Sequence, residues 1–117
     1  MTKFDLYQKN VLPFYCEIGV YQAKIDILMR EREGCVRLIK HFGNQLTEYL
    51  EQDAKTMTVY PDIFTDYNHV SCVSSLLAAI DEQYQKKVKA DREIERLYFK
   101  LSDTVKAAKS EYYKISA

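Results

Sequence analysis

The stretch FDLYQKNVLPFYCEIGVYQAKIDILMREREGCVRLIKHFGNQLTEY, residues 4–49, carries an apolar or aromatic side chain at nearly every first and fourth position of a seven-residue repeat. With Phe4 as position a, Val11, Ile18, Ile25, Arg32, Ile39 and Leu46 follow at a, and Tyr7, Phe14, Tyr21, Leu28, Cys35, Phe42 and Tyr49 fall at d. Only Arg32 is charged. A straight helix of 3.6 residues per turn would carry such a stripe off to one side, so a sustained period of 3.5 marks a helix packed lengthwise against another. Such a helix would rise about 70 Å.

A second repeat supplies the company. It places Leu77, Tyr84, Asp91, Tyr98, Val105 and Tyr112 at a, and Ile80, Lys87, Ile94, Leu101, Ala108 and Ile115 at d. Lys87 and Asp91 form its weak layer, where Val88, Ala90 and Leu97 lie close enough to widen the seam. Between the repeats, residues 53–66 gather β-branched and small residues around Pro61, and no long helical stripe fits them. The expected architecture is one all-α domain, residues 1–117, formed as an elongated antiparallel hairpin: helix one over about 4–52, a connection over about 53–66, and helix two over about 67–116. Thr65 or Asp66 suits the N-terminus of helix two, and Pro61 offers an alternative short turn before it.

Three local features bear on helix one. Asn10 is able to cap a helix with Pro13 in its first turn, while the unbroken repeat from Phe4 to Phe14 favours instead a helix from near Thr2 kinked at Pro13. Gly34, beside Arg30, Glu31, Arg32 and Glu33, is the most inviting place for a break. Gly19, Gly34 and Gly43 all fall outside the seam, so each costs roughly 1 kcal/mol of helix propensity without opening the core.

Composition narrows function mainly by exclusion. Seventeen basic and seventeen acidic residues give zero net charge, so nothing global attracts nucleic acid or an acidic substrate. No run of about 20 apolar residues, signal segment or lipidation motif is present, which leads us to expect a soluble, intracellular and cytoplasmic chain. Cys16, Cys35 and Cys72 are odd in number and lack CxxC spacing, as suits a reducing compartment. At d, Cys35 serves as a small apolar side chain.

Catalysis needs groups that converge, and few do. The triplet Asp66, His69 and Cys72 has helical spacing, yet any helix offers such triplets, and an N-cap, a surface imidazole and a packed thiol account for them. His41 sits at c beside Arg37 and Lys40 with no partner base. Phosphate-binding glycine loops, HExxH and GxSxG are absent. We therefore expect no catalytic or metal-binding residues, no cofactor, no small-molecule substrate and no enzyme. Tyr60-Pro61-Asp62-Ile63 and Tyr67-Asn68-His69-Val70 match short tyrosine sorting and phosphotyrosine patterns, but such matches arise constantly by chance, and Tyr60, Ile63 and Phe64 are better read as a hydrophobic plug over the end of the hairpin.

Apolar residues beyond the seam say more. Leu6, Pro13, Val20 and Ile27 occupy c, with Leu12, Tyr15 and Met29 nearby, where a two-stranded coil would carry charge. Leu6, Leu12, Val20 and Ile27 are therefore candidates for contact with a protein partner or another copy. Ten tyrosines, six of them assigned to the seams, also favour a four-helix arrangement over two, because a ring with a hydroxyl fits a wide, wet-edged bundle better than a tight pair. The function expected is that of a non-catalytic helical scaffold or subunit of a larger assembly.

A second reading starts from the nine Lys or Arg against five Asp or Glu between Gln83 and the C-terminus. Lys86, Lys87, Lys89, Arg92 and Arg96 are the candidates for contact with an anionic surface, although a charged run on a helix is most simply a solvated face. The segments Leu28-Met29-Arg30-Glu31-Arg32-Glu33 and Val105-Lys106-Ala107-Ala108-Lys109-Ser110-Glu111-Tyr112-Tyr113 resemble the BAR and F-BAR superfamily of membrane-curving dimers. That resemblance implies a helical dimer laying its basic helix on lipid. This chain departs from those domains in being shorter and in lacking a third long helix.

Overall fold

The computed structural model describes residues 1–57 and 67–117, the side chains at 56–57 and 67–69 excepted. The described residues form three helices: α1 (Lys3–Asn10), α2 (Leu12–Met57) and α3 (Tyr67–Ser116). The chain is an all-α helical hairpin in which α2 and α3 pack against each other. It divides into two compact units, one made of Met1–Arg30 with Ala90–Ala117, the other of Glu31–Lys89.

Thr2 starts α1. Its hydroxyl accepts the Asp5 N–H at 3.2 Å, and its own N–H donates to Asp5 Oδ2 at 3.0 Å, so two otherwise unpartnered backbone donors are satisfied reciprocally. The kink near Pro13 is a complete break. Val11 closes α1 by donating to the Tyr7 carbonyl at 2.9 Å, and α2 begins at Leu12. Pro13 has no N–H to give the Lys9 carbonyl and its ring would collide with it, which prevents one helix from running through. Phe14 bonds instead to the Val11 carbonyl at 3.0 Å, a tighter turn. Asn10 therefore does not cap α2, and Gly34 does not interrupt it.

In the unit containing both chain ends, Ile25, Ile94 and Leu97 form the buried cluster, with Tyr21, Leu28 and Leu101 packed around it. Farther out, Tyr7 stacks on Tyr112 with ring centroids 5.6 Å apart, and the Tyr7 and Ser116 hydroxyls are 3.3 Å apart. Partners late in α3 meet α1, and earlier ones meet the middle of α2, so the helices are antiparallel. Val11, Ile25 and the half-buried Phe14, Ile18, Tyr21 and Leu28 follow the expected a and d positions. Phe4 does not: it lies across the break from that register and is 67% exposed.

The Glu31–Lys89 unit continues the α2 pattern through half-buried Arg32, buried Cys35 and half-buried Ile39, Phe42 and Leu46, while Tyr49 is exposed. One heptad beyond Leu46, Asp53 is again buried. The same periodicity explains why α2 extends to Met57 rather than stopping near 52. The rest of the expected connection, with Tyr60, Pro61, Ile63, Phe64, Thr65 and Asp66, lies outside the described residues.

The seam of α3 corrects the sequence reading by one residue. The line Ile80, Lys87, Ile94, Leu101, Ala108 and Ile115 does face inward, but its companions are Leu76, Gln83, Ala90, Leu97, Thr104 and Glu111. Leu97 is 3% exposed; its neighbour Tyr98, expected in the core, is 47% exposed. Leu77, Tyr84 and Tyr112 are likewise exposed. The apolar line therefore takes position a rather than d. Both phases contain the same apolar line, and hydrophobicity alone prefers tyrosine to alanine or threonine as its companion. Packing reverses that preference: the small Ala90, Thr104 and Ala108 are the buried companions, where rings would need more volume. Thr104 hides its hydroxyl by donating to the Lys100 carbonyl at 2.8 Å within its own helix.

Candidate interaction surface

With α3 correctly phased, the two flanks of the hairpin differ in chemistry. Helices running in opposite directions set g positions beside g positions on one edge, and e beside e on the other. Along the g edge, α2 carries Glu17, Lys24 and Glu31, and α3 carries Lys100, Glu93 and Lys86. In the unit of Met1–Arg30 and Ala90–Ala117 the charge of Lys24 on α2 reaches Glu93 on α3, a pairing of opposite sign at this edge. Glu93 registers this environment. Its carboxyl is held below the usual range first by the hydrogen bond from Arg96, at 2.9 Å from Nε, against an opposing desolvation, with further help from the charges of Arg96, Lys100 and Lys24.

The e edge is mostly apolar, interrupted at Gln22 and Asp91. In the unit of Met1–Arg30 and Ala90–Ala117 it presents Tyr15 and Met29 from α2, and Tyr98, Val105 and Tyr112 from α3; all are exposed except the half-buried Val105. The Glu31–Lys89 unit has its own set, with Val36 and Leu50 on α2 and Val70, Leu77 and Tyr84 on α3, all exposed. A helix in a simple pair needs apolar residues only at a and d; one that also carries them at e is patterned for the core of a bundle. No large side chain among the described residues is completely enclosed. The two-helix layer leaves even its best-covered apolar groups partly wet.

The residues singled out from sequence divide between these surfaces. Val20 and Ile27 are exposed on one outward face of α2, seven residues apart. Leu12 is also exposed but lies about 80° around the helix from Val20. Leu6 is half-buried in α1, beyond the break. The four therefore form no single patch. The exposed tyrosines of α3 escaped the sequence reading because they were assigned to the core. One signal pointed to them: alternating charges at g on both helices appear only when α3 is phased with Ile80 and Ile94 at a.

The basic run is partly committed. Lys86 pairs with Glu82 at 3.2 Å, Arg96 with Glu93, and Lys87 is half-buried at a seam position. Lys89 and Arg92 are exposed.

One open groove, about 580 Å³ in the Glu31–Lys89 unit, is bordered by Gln45, Glu48, Tyr49 and Gln52 of α2 and by Cys72, Ser75 and Leu76 of α3. Its lining mixes polar with apolar side chains and includes the Cys72 thiol. Among the described residues no three His, Cys, Asp or Glu side chains gather in a way that would hold a metal ion. Asp66 and the His69 side chain, from the triplet with Cys72, lie outside them. Cys35 is a buried free thiol, and Cys16 and Cys72 are exposed ones. Among the described residues no helix is long and apolar enough to cross a membrane. Comparison of the chain with protein-family models, curated proteins and solved structures finds no match.

Proposed function

We propose that this protein is a non-catalytic helical scaffold or interaction subunit, whose work is to present helix faces to other polypeptides. The observation that carries this reading is an asymmetry within the unit of Met1–Arg30 and Ala90–Ala117: one edge carries Glu17, Lys24, Glu93 and Lys100, while the other offers exposed Tyr15, Met29, Tyr98 and Tyr112. Interface cores are enriched in tyrosine and methionine and depleted in lysine and glutamate, which is the composition of that edge. Val20 and Ile27 supply a smaller, separate apolar face.

A photo-cross-linking amino acid placed at position 98 tests the proposal in an extract of the native cells. Adducts with a polypeptide, absent when the probe is moved to the charged edge at position 100, are the expected result. Absence of any polypeptide adduct at position 98 would refute the docking role.

A further inference from the structure

We infer that the apolar edge formed by Met1–Arg30 and Ala90–Ala117 is the contact surface for a second copy of this chain, the two hairpins joining there as a four-helix bundle. This rests on the docking role proposed above and names its partner.

The argument begins with what can cover the edge. Tyr15 and Met29 on α2, with Tyr98 and Tyr112 on α3, stand on two antiparallel helices whose a, d and e positions are mostly apolar, Gln22, Asp91, Thr104 and Glu111 being the exceptions in this unit. Three apolar positions in seven on both helices is the pattern of bundle helices, each touching two neighbours rather than one. The missing neighbours must be a helix pair with the same apolar width and a similar length. This chain contains such a pair, and a two-fold axis through the edge would satisfy both copies with the same residues.

Charge and size agree with that partner. The chain has zero net charge, so copies do not repel one another globally. Asp91 is the one formal charge at an e position in this unit, whereas the opposite edge is charged at Glu17, Lys24, Glu93 and Lys100. In this unit α2 runs from residue 12 to 30 and α3 from 90 to 116, so the two lie side by side for about 30 Å and span about 20 Å, giving a face of roughly 600 Å² per copy. That is the lower end of the share each partner contributes to a standard stable interface.

Tyrosine fits the site physically. At a four-helix edge a ring can bury its face between helices while its hydroxyl reaches water at the rim. Among the described residues of this unit, the only tyrosine in the seam between α2 and α3 is the half-buried Tyr21. The small seam residues and the large edge residues of α3 thus suit two different spacings, one within the hairpin and one between hairpins.

The test is light scattering of the purified full chain after size exclusion at two concentrations, with circular dichroism on each peak. Wild type should show twice the 13.8 kDa chain mass. Met29→Glu with Tyr98→Glu should return the single-chain mass at both concentrations while keeping helical signal, and Val20→Glu with Ile27→Glu should retain the doubled mass. If the double edge variant loses helicity, Tyr98→Ser alone, mixed with tagged wild type, provides the second measurement: it should co-purify at least tenfold less than untagged wild type does. A single-chain mass for wild type, or a dimer indifferent to both edge variants, overturns self-pairing. Self-pairing also fails if the position 98 probe in extract yields only adducts heavier or lighter than two chains; that outcome leaves the docking role standing, whereas no adduct removes both.

Discussion

At the scale of single residues, the start of α1 shows how little sequence is needed to fix a helix end. Thr2 and Asp5, three apart, bond to each other through backbone and side chain, and the Thr2 backbone N–H is the main reason the Asp5 carboxyl titrates below its ordinary range. The folded value lies below the unfolded one, so the contribution to α1 is fully present above the unfolded value and is lost as pH falls through the folded one. Amide exchange of residues 3–10 should therefore quicken relative to the rest of the chain on acidification below the carboxylate range, and Asp5→Asn should remove that dependence. Gly34 offers a change in the other direction. It is helical, and a Cβ added there meets nothing within 4 Å. Gly34→Ala should stabilise the fold by about 0.5–1 kcal/mol, read from the midpoint of urea unfolding. Pro13 was legible as a disturbance but not as a full stop, because hydrophobic spacing alone carried the register from Phe4 to Phe14 as though the backbone could follow.

At the scale of the helices, a phase difference of one residue separates core from surface. Leu97 and Tyr98 are adjacent, and only the first is buried. Leu97→Ala should cost about 2–5 kcal/mol at every protein concentration, since it empties the cluster with Ile25 and Ile94. Tyr98→Ala should lower the melting temperature mainly through lost pairing, so its effect should depend on concentration. A concentration-independent loss as large as that of Leu97→Ala would put Tyr98 back in the core. Ala108 tests the reason for the phase. It is buried, and Ala108→Leu should cost about 1–3 kcal/mol by overpacking, measured by denaturant unfolding. Helix type and the α2 register were readable because their apolar residues repeat without rivals. The α3 phase was not, because two adjacent lines both accompany the same apolar one, and the correct line is poorer in hydrophobic residues. The size limit that decides between them becomes visible only when the opposing backbone is in place. The candidate surface was half legible for the same reason. Apolar residues outside the α2 seam were evident, but the matching tyrosines of α3 were counted as interior.

At the scale of the whole molecule, balance of charge sets what the chain does not attract. Lys86 and Arg96 are already paired along their own helix, and each free basic residue adds only about 1 kcal/mol beside an anionic membrane. The chain should remain in the supernatant when vesicles containing anionic lipid are sedimented at physiological salt. Strong co-sedimentation that disappears in a Lys86→Glu, Lys87→Glu, Lys89→Glu variant would restore the lipid reading. The charged edge has another consequence. A seam that repeats every seven residues is nearly as apolar after one helix slides by seven, so hydrophobic contact alone leaves the hairpin free to fold out of step. Sliding by one heptad in one direction sets Glu17 against Glu93 and Lys24 against Lys86; the other direction sets Lys24 against Lys100 and Glu31 against Glu93. Alternating signs would thus act as a vernier, disfavouring each neighbouring misfit by repulsion relative to the alignment in which Lys24 meets Glu93.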